Sequence, residues 1–169
     1  MKHYKLLSKF FFIIFFGLFS SIVNSEEGSS KYNVYMGMFD FSDAGKKSTL
    51  IGVQHQNEDL NRDTFLGNLS PITGFLVTAD SAAYIYTGVQ ANYKIGKINF
   101  SPSFTPGLYN KGNGKDLGHI IEFKSELQIS LDLFSNSQLG FSYNHLSNAS
   151  LGNKNPGANS YMFNFFKTF

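Results

Sequence analysis

The chain of 169 residues contains no cysteine and no tryptophan. Without thiols it has neither a disulfide framework nor a thiolate metal site, so outside the cytoplasm it must be held by packing or by a membrane. The histidines offer no metal-ligand spacing either: His3, His55 and His119 stand far apart. Charge is also scarce, at 15%. No fixed-period repeat or low-complexity linker interrupts the sequence, so a single domain is expected. The glycine-rich KGNGKD at 111–116 invites comparison with a phosphate loop, but the spacing is wrong and no helical pattern follows.

At the start, Lys2, Lys5 and Lys9 precede an apolar run from Phe10 to Phe19, and small residues follow up to Ser25. This order is that of a secretory signal peptide, with cleavage expected after Ser25 and a mature domain over 26–169. The run is short of the roughly 20 residues a membrane helix needs, and no later stretch supplies one. Loss of the leader takes three of the 14 basic residues and none of the 12 acids. The remaining near-neutral chain carries no basic footprint, so nucleic acid is not expected as a partner.

Aromatic residues are abundant, at 17% with 19 Phe, yet mean hydropathy is −0.14. The two agree because apolar and polar residues alternate in short segments, the period of strands. Segments over 32–41, 48–57, 67–78, 82–93, 97–109, 117–133, 137–148 and 158–169 are separated by turns rich in Gly, Asn, Asp and Ser. Eight strands with short links predict an all-β, eight-stranded antiparallel up-and-down barrel.

Alternation alone fits both a soluble barrel with an oily core and a transmembrane barrel with an oily outside. The leader, the lack of cysteine and the final segment favour the membrane. That segment carries Tyr161, Phe163, Phe165, Lys167 and Phe169 on one parity, and it resembles the C-terminal strand of bacterial outer-membrane barrels. With both termini in the periplasm, the links near 43–47, 79–81, 110–116 and 149–157 face outward.

In the seventh segment Leu139, Phe141, Tyr143, His145 and Ser147 share a face, which their apolar members assign to lipid. In the eighth, Asn159 shares parity with Tyr161 and Phe163, so it can lie beside His145 across the hairpin. Polar groups facing lipid are costly and invite a functional explanation. Ser147 can act as nucleophile, His145 as its base and a third group as the orienter of the imidazole. Two residues apart on one strand, Cβ atoms are roughly 6 to 7 Å from each other, within reach of rotamer adjustment. A polar girdle meeting lipid headgroups explains the same residues without chemistry.

The wording of the stretch goes further. HLSNA at 145–149, followed by NPGANS at 155–160, resembles the lipid A deacylase (PagL) family, also described as acyloxyacyl hydrolase-like. MFDF, LSPITG, YIYTGV, TPGLY and LGHIIEFKS extend the resemblance over most of the mature chain. It implies an outer-membrane esterase of a Gram-negative bacterium that removes the ester-linked 3-O-hydroxyacyl chain of lipid A in lipopolysaccharide, without metal or cofactor. It assigns His145 as base, Ser147 as nucleophile and Asn148 as an oxyanion contact, with Ser150 offering a backbone N–H. Lys111 and Lys115 become candidates for the lipid A phosphates. A homodimer is left open. The family carries Glu 14 residues after the His, where this chain has Asn159. An amide can orient an imidazole but lacks the charge that stabilises imidazolium. The departure keeps a second function in view, a non-catalytic small barrel with a structural or adhesive role.

Overall fold

Polar side chains fill the inside of the molecule and apolar ones cover its outside. This is the arrangement in the computed structural model, which describes residues 29–169. The expected signal peptide lies outside the described residues. The strands are β1 (Ser30–Phe39), β2 (Ser48–Asn57), β3 (Arg62–Thr64), β4 (Gly67–Thr78), β5 (Ala83–Ile95), β6 (Ile98–Asn110), β7 (Ile121–Phe134), β8 (Ser137–Ser147) and β9 (Ala158–Thr168). Every pairing is antiparallel. β1 pairs with β2 and β9, neighbours follow in order round to β4, and β4 pairs back onto β2. Eight strands thus close the barrel, and three-residue β3 is a flap on the start of β4.

Gln54, Gln56, Gln90, Lys124, Glu126, Gln128, Asn144 and Asn164 are buried inside, while Ile51, Phe75, Ile85, Phe104, Leu127, Ile129, Phe141 and Phe163 are exposed outside. A water-soluble barrel would reverse these assignments, so the outer wall is a lipid surface. The lumen is not a channel. At one end it is stoppered by a buried cluster including Phe39, Leu50, Leu76, Tyr84, Tyr109, Leu117, Leu146 and Met162. Below this lies a hydrogen-bonded chain in which the Tyr86 hydroxyl donates to Gln54 Oε1 at 3.1 Å and Gln90 Nε2 donates to Gln56 Oε1 at 2.9 Å.

Lys124 Nζ sits 2.8 Å from Glu126 Oε2 with both side chains almost wholly buried, and 3.9 Å above the Tyr86 ring. Removing one member of a buried pair strands the other charge. Lys124→Met is therefore expected to destabilise the barrel by about 3–5 kcal/mol. Urea unfolding of the refolded protein in lipid vesicles measures this, and an unchanged midpoint would refute it.

Besides β3, which no alternating segment predicts, two details depart from the sequence pattern. Phe41 lies beyond the end of β1, and the sixth segment enters the ladder only at Ile121 instead of Leu117. Gly118, at φ +95°, breaks the extended chain and lets Leu117 turn into the barrel mouth.

The links 40–47, 79–82, 111–120 and 148–157 gather at one end, and the link 58–66, which carries β3, and the two-residue turns 96–97 and 135–136 lie at the other with both described termini. Short periplasmic turns and longer outer loops are the rule in such barrels, which assigns the first set to the cell surface. The outer loops are tied together. Asn113 N–H donates to Asp80 O at 2.9 Å, and Lys115 Nζ lies 2.7 Å from the buried carboxylate of Asp40. Lys115 is thus a loop fastener with its charge committed inward, contrary to its expected part in phosphate contact. Lys111 shares Asp116 with Lys154, each at 3.2 Å.

The Lys154 and Lys111 ammonium groups and the Gly118 N–H hold the Asp116 carboxyl down to about 2 from the ordinary 3.8. A carboxylate depressed in the folded state stabilises it above its unfolded value and loses that effect as pH falls through the folded one. Loop fastening at Asp116 should therefore be complete above about pH 4 and fade towards pH 2. Protection of the Gly118 amide, whose N–H donates to Asp116 Oδ1 at 3.0 Å, is expected to fall over that interval when exchange is referred to the intrinsic rate at each pH.

Candidate active site

The site is built on a hairpin whose register does most of the placement. β8 and β9 pair so that His145 faces Asn159 directly, two rungs beyond Tyr143 opposite Tyr161. Side chains directly opposite on one face are the closest neighbours a sheet provides. Asn159 Oδ1 lies 2.8 Å from His145 Nδ1. Because that oxygen can only accept, Nδ1 is the donor of this bond, and a neutral imidazole so held presents Nε2 as a lone pair.

The same oxygen accepts from the Tyr143 hydroxyl at 2.9 Å, and Asn159 Nδ2 donates to Ser42 Oγ at 3.2 Å. Ser42 comes from the first outer loop, pinned to β9 by the bond from Phe41 N–H to Asn159 O at 3.0 Å. Phe41 packs edge-on against Tyr143 at 6.2 Å and tilted against Tyr161 at 5.5 Å.

Ser147 ends β8, opposite Phe123 of β7, on the same outer face as His145. The structure brings His145 and Asn159 into a hydrogen bond and leaves Ser147 beside them without one: among the described residues its hydroxyl has no hydrogen-bond partner. The chain then turns sharply. Ala149 and Ser150 take φ of +51° and +65°, and Leu151 N–H donates to Asn148 O at 3.0 Å. Left-handed backbone at two consecutive non-glycine residues costs about 1–2 kcal/mol each, a strain that begins two residues after the serine.

Asn148 has the opposite parity and is fully buried. Its Nδ2 donates to Leu117 O at 2.7 Å and Lys154 O at 2.8 Å, its Oδ1 accepts from Ser150 N–H at 2.9 Å, and its own N–H donates to Asn155 Oδ1 at 3.1 Å. The side chain expected at the oxyanion is an anchor for the outer loops in this conformation, and the Ser150 N–H is spent on it. Inward parity at position 148 decides this, because a residue next to the serine along a strand points to the other face.

Gly157, with φ +63°, closes the loop into β9. A Cβ there would stand 2.8 Å from His145 Cε1 and 3.2 Å from Nε2. Glycine at this point serves the imidazole as well as the turn. Gly157→Ala should displace the ring from Asn159 and strain the backbone, with activity falling at least about tenfold while the barrel still folds. Retained activity in this variant would show that the ring has other room. Parity could have brought Tyr143 to notice, since it lies two residues before His145. Nothing local in the sequence ties Ser42 to Asn159.

A family model described as lipid A 3-O-deacylase (PagL) matches residues 51–168. The chain belongs to the PagL family. Among solved structures, the crystal structure of the outer membrane enzyme PagL shares 16% identity, with 81% of this chain and 98% of that one covered at a TM-score of 0.61. A de novo designed transmembrane β-barrel matches at 10% identity, 87% and 100% coverage and a TM-score of 0.59. The outer membrane protein Ail of Yersinia pestis, in a phospholipid bilayer nanodisc, matches at 13% identity, 85% and 100% coverage and 0.51. At these identities the likenesses concern the fold. No curated protein sequence matches the chain. PagL membership and the inverted barrel identify a Gram-negative outer-membrane protein and support a lipid A deacylase, with lipid A and the membrane as its partners. Neither supports a homodimer.

Proposed function

We propose that this PagL-family barrel is a serine esterase that hydrolyses the ester-linked 3-O-hydroxyacyl chain of lipid A in the outer leaflet. The observation that carries the proposal is the hydrogen bond from His145 Nδ1 to Asn159 Oδ1 on the lipid-facing wall, with Ser147 on the same face. It supplies the tautomer that general base catalysis needs. Lipid A diffusing against the wall brings its acyl ester to Ser147. The Ser147 hydroxyl adds to the ester carbonyl as its proton passes to His145 Nε2. The tetrahedral adduct then expels the sugar 3-hydroxyl, which takes that proton, and water releases the acyl group from Ser147 by the same path reversed.

For the oxyanion, Asn148 and Ser150 would have to exchange bonds they already make, whereas the Ala149 N–H makes none among the described residues. Ala149 N–H is therefore the donor available at the turn, with Asn148 and Ser150 recruited if the loop reopens on substrate.

The test is mass spectrometry of lipid A from cells producing the protein. Loss of one hydroxyacyl chain from the 3-position supports the proposal. An unaltered profile, with the folded protein present in the outer membrane, would sink it and favour the non-catalytic barrel, a reading that draws on the missing carboxylate at position 159.

A further inference from the structure

The chemistry at position 159 poses a problem that a carboxylate would not have. Both oxygens of a carboxylate accept, so either face of the group orients an imidazole. An amide accepts through one atom and donates through the other. Turned over, Asn159 would present Nδ2–H to Nδ1, drive the imidazole proton to Nε2 and leave no lone pair there to act as base. The turned form must therefore be excluded by something outside the His145–Asn159 pair.

We infer that Tyr143 and Ser42 are positioning residues that lock the Asn159 amide in its accepting orientation, and so fix the His145 tautomer; this rests on the serine esterase proposal for its catalytic consequence. The Tyr143 hydroxyl donates to Oδ1 at 2.9 Å and Ser42 Oγ accepts from Nδ2 at 3.2 Å. Flipping the amide would set Nδ2–H against the Tyr143 hydroxyl, whose phenolic oxygen has its lone pair drawn into the ring and donates more readily than it accepts. It would also turn Oδ1 towards Ser42 and oblige that hydroxyl to change from acceptor to donor. Each partner holds its own place for reasons unrelated to the Asn159 side chain. Tyr143 is braced by Phe41, whose backbone N–H is bonded to the main-chain carbonyl of Asn159. Ser42 is the next residue along that pinned loop. The lock thus couples the first outer loop to the last hairpin, across 117 residues of sequence.

Two measurements test this. The first is the nitrogen NMR signature of the His145 ring in the refolded protein in detergent micelles, assigned by His145→Gln. The wild type should show the Nδ1–H tautomer, and Tyr143→Phe combined with Ser42→Ala should show a mixture or the Nε2–H form. In the Asn159→Asp background the same two changes should leave Nδ1–H in place. The second is kinetics on lipid A micelles. The double change should lower kcat about tenfold or more at near-constant KM in the protein with its native Asn159, and about threefold or less in the Asn159→Asp background.

A wild-type Nδ1–H signal indifferent to both changes overturns the lock, whatever the activity. Equal kinetic losses in the native and Asn159→Asp backgrounds overturn it too, since they would mean a general structural role. If the tautomer responds as expected but lipid A is never cleaved by any variant, the lock stands and the esterase proposal falls.

Discussion

In cells producing Ser147→Ala, lipid A is expected to keep the acyl chain that the wild-type protein removes. The nucleophile and its base act as one unit, so deleting the hydroxyl should lower turnover by on the order of 10⁴-fold or more, read as complete loss on lipid A. The interpretation is clean because of where Ser147 sits. It is the last residue of β8, partly exposed, and its hydroxyl has no hydrogen-bond partner among the described residues. Truncation opens no cavity and orphans no partner, so stability should change by no more than about 0.5 kcal/mol. Heat-dependent migration of the folded barrel in detergent gels checks that the variant still folds. A fully active Ser147→Ala protein would move the nucleophile elsewhere and dismantle the mechanism.

Substitutions at Asn159 are expected to move the rate in opposite directions. Asn159→Leu removes the acceptor that His145 Nδ1–H has among the described residues and leaves the ring free to swap tautomers, with a loss on the order of 10³-fold. Asn159→Asp keeps the length of the side chain and adds a charge. A charge-assisted hydrogen bond is worth roughly twice a neutral one, so imidazolium in the transition state should gain about 1.4 kcal/mol and kcat about tenfold. Tyr143 can still donate to the new carboxylate, whereas Ser42 must turn its hydroxyl from acceptor to donor. Rates of lipid A deacylation by purified variants decide both points. If Leu and Asp behave alike, position 159 has no part in orienting His145.

The barrel was legible because its strands obey one period with few exceptions. β2 and β4 run over the residues where alternation begins and ends, and His145, Ser147 and Asn159 share a face because parity is a local property. Parity also contained the information that Asn148 points inward. The family assignment outweighed it in the expectation of an oxyanion contact, and the hydrogen bonds to Leu117 and Lys154 carbonyls show where that amide goes. What could not be read was contact between distant loops. Lys115 looked like a free surface cation until Asp40, 75 positions away, proved to hold it. Leu117 continued an alternating pattern but leaves it at Gly118, because a positive φ depends on the path of the loop and not on hydrophobicity. β3 was invisible for a different reason. Three polar residues hydrogen-bonded to the start of β4 leave no periodic trace.

The pairing of β1 with β9 has a consequence for timing. Ser42 follows β1, Asn159 is the second residue of β9 and His145 lies on β8, so the proposed site spans the seam where the first strand meets the last. A chain still in transit has made no such seam, and its amide at 159 has no Ser42 to hold it. Competence would thus arrive with completion of the ring, in the membrane that holds the substrate. Turnover could then serve as a clock for barrel assembly, advancing only in molecules that have finished closing.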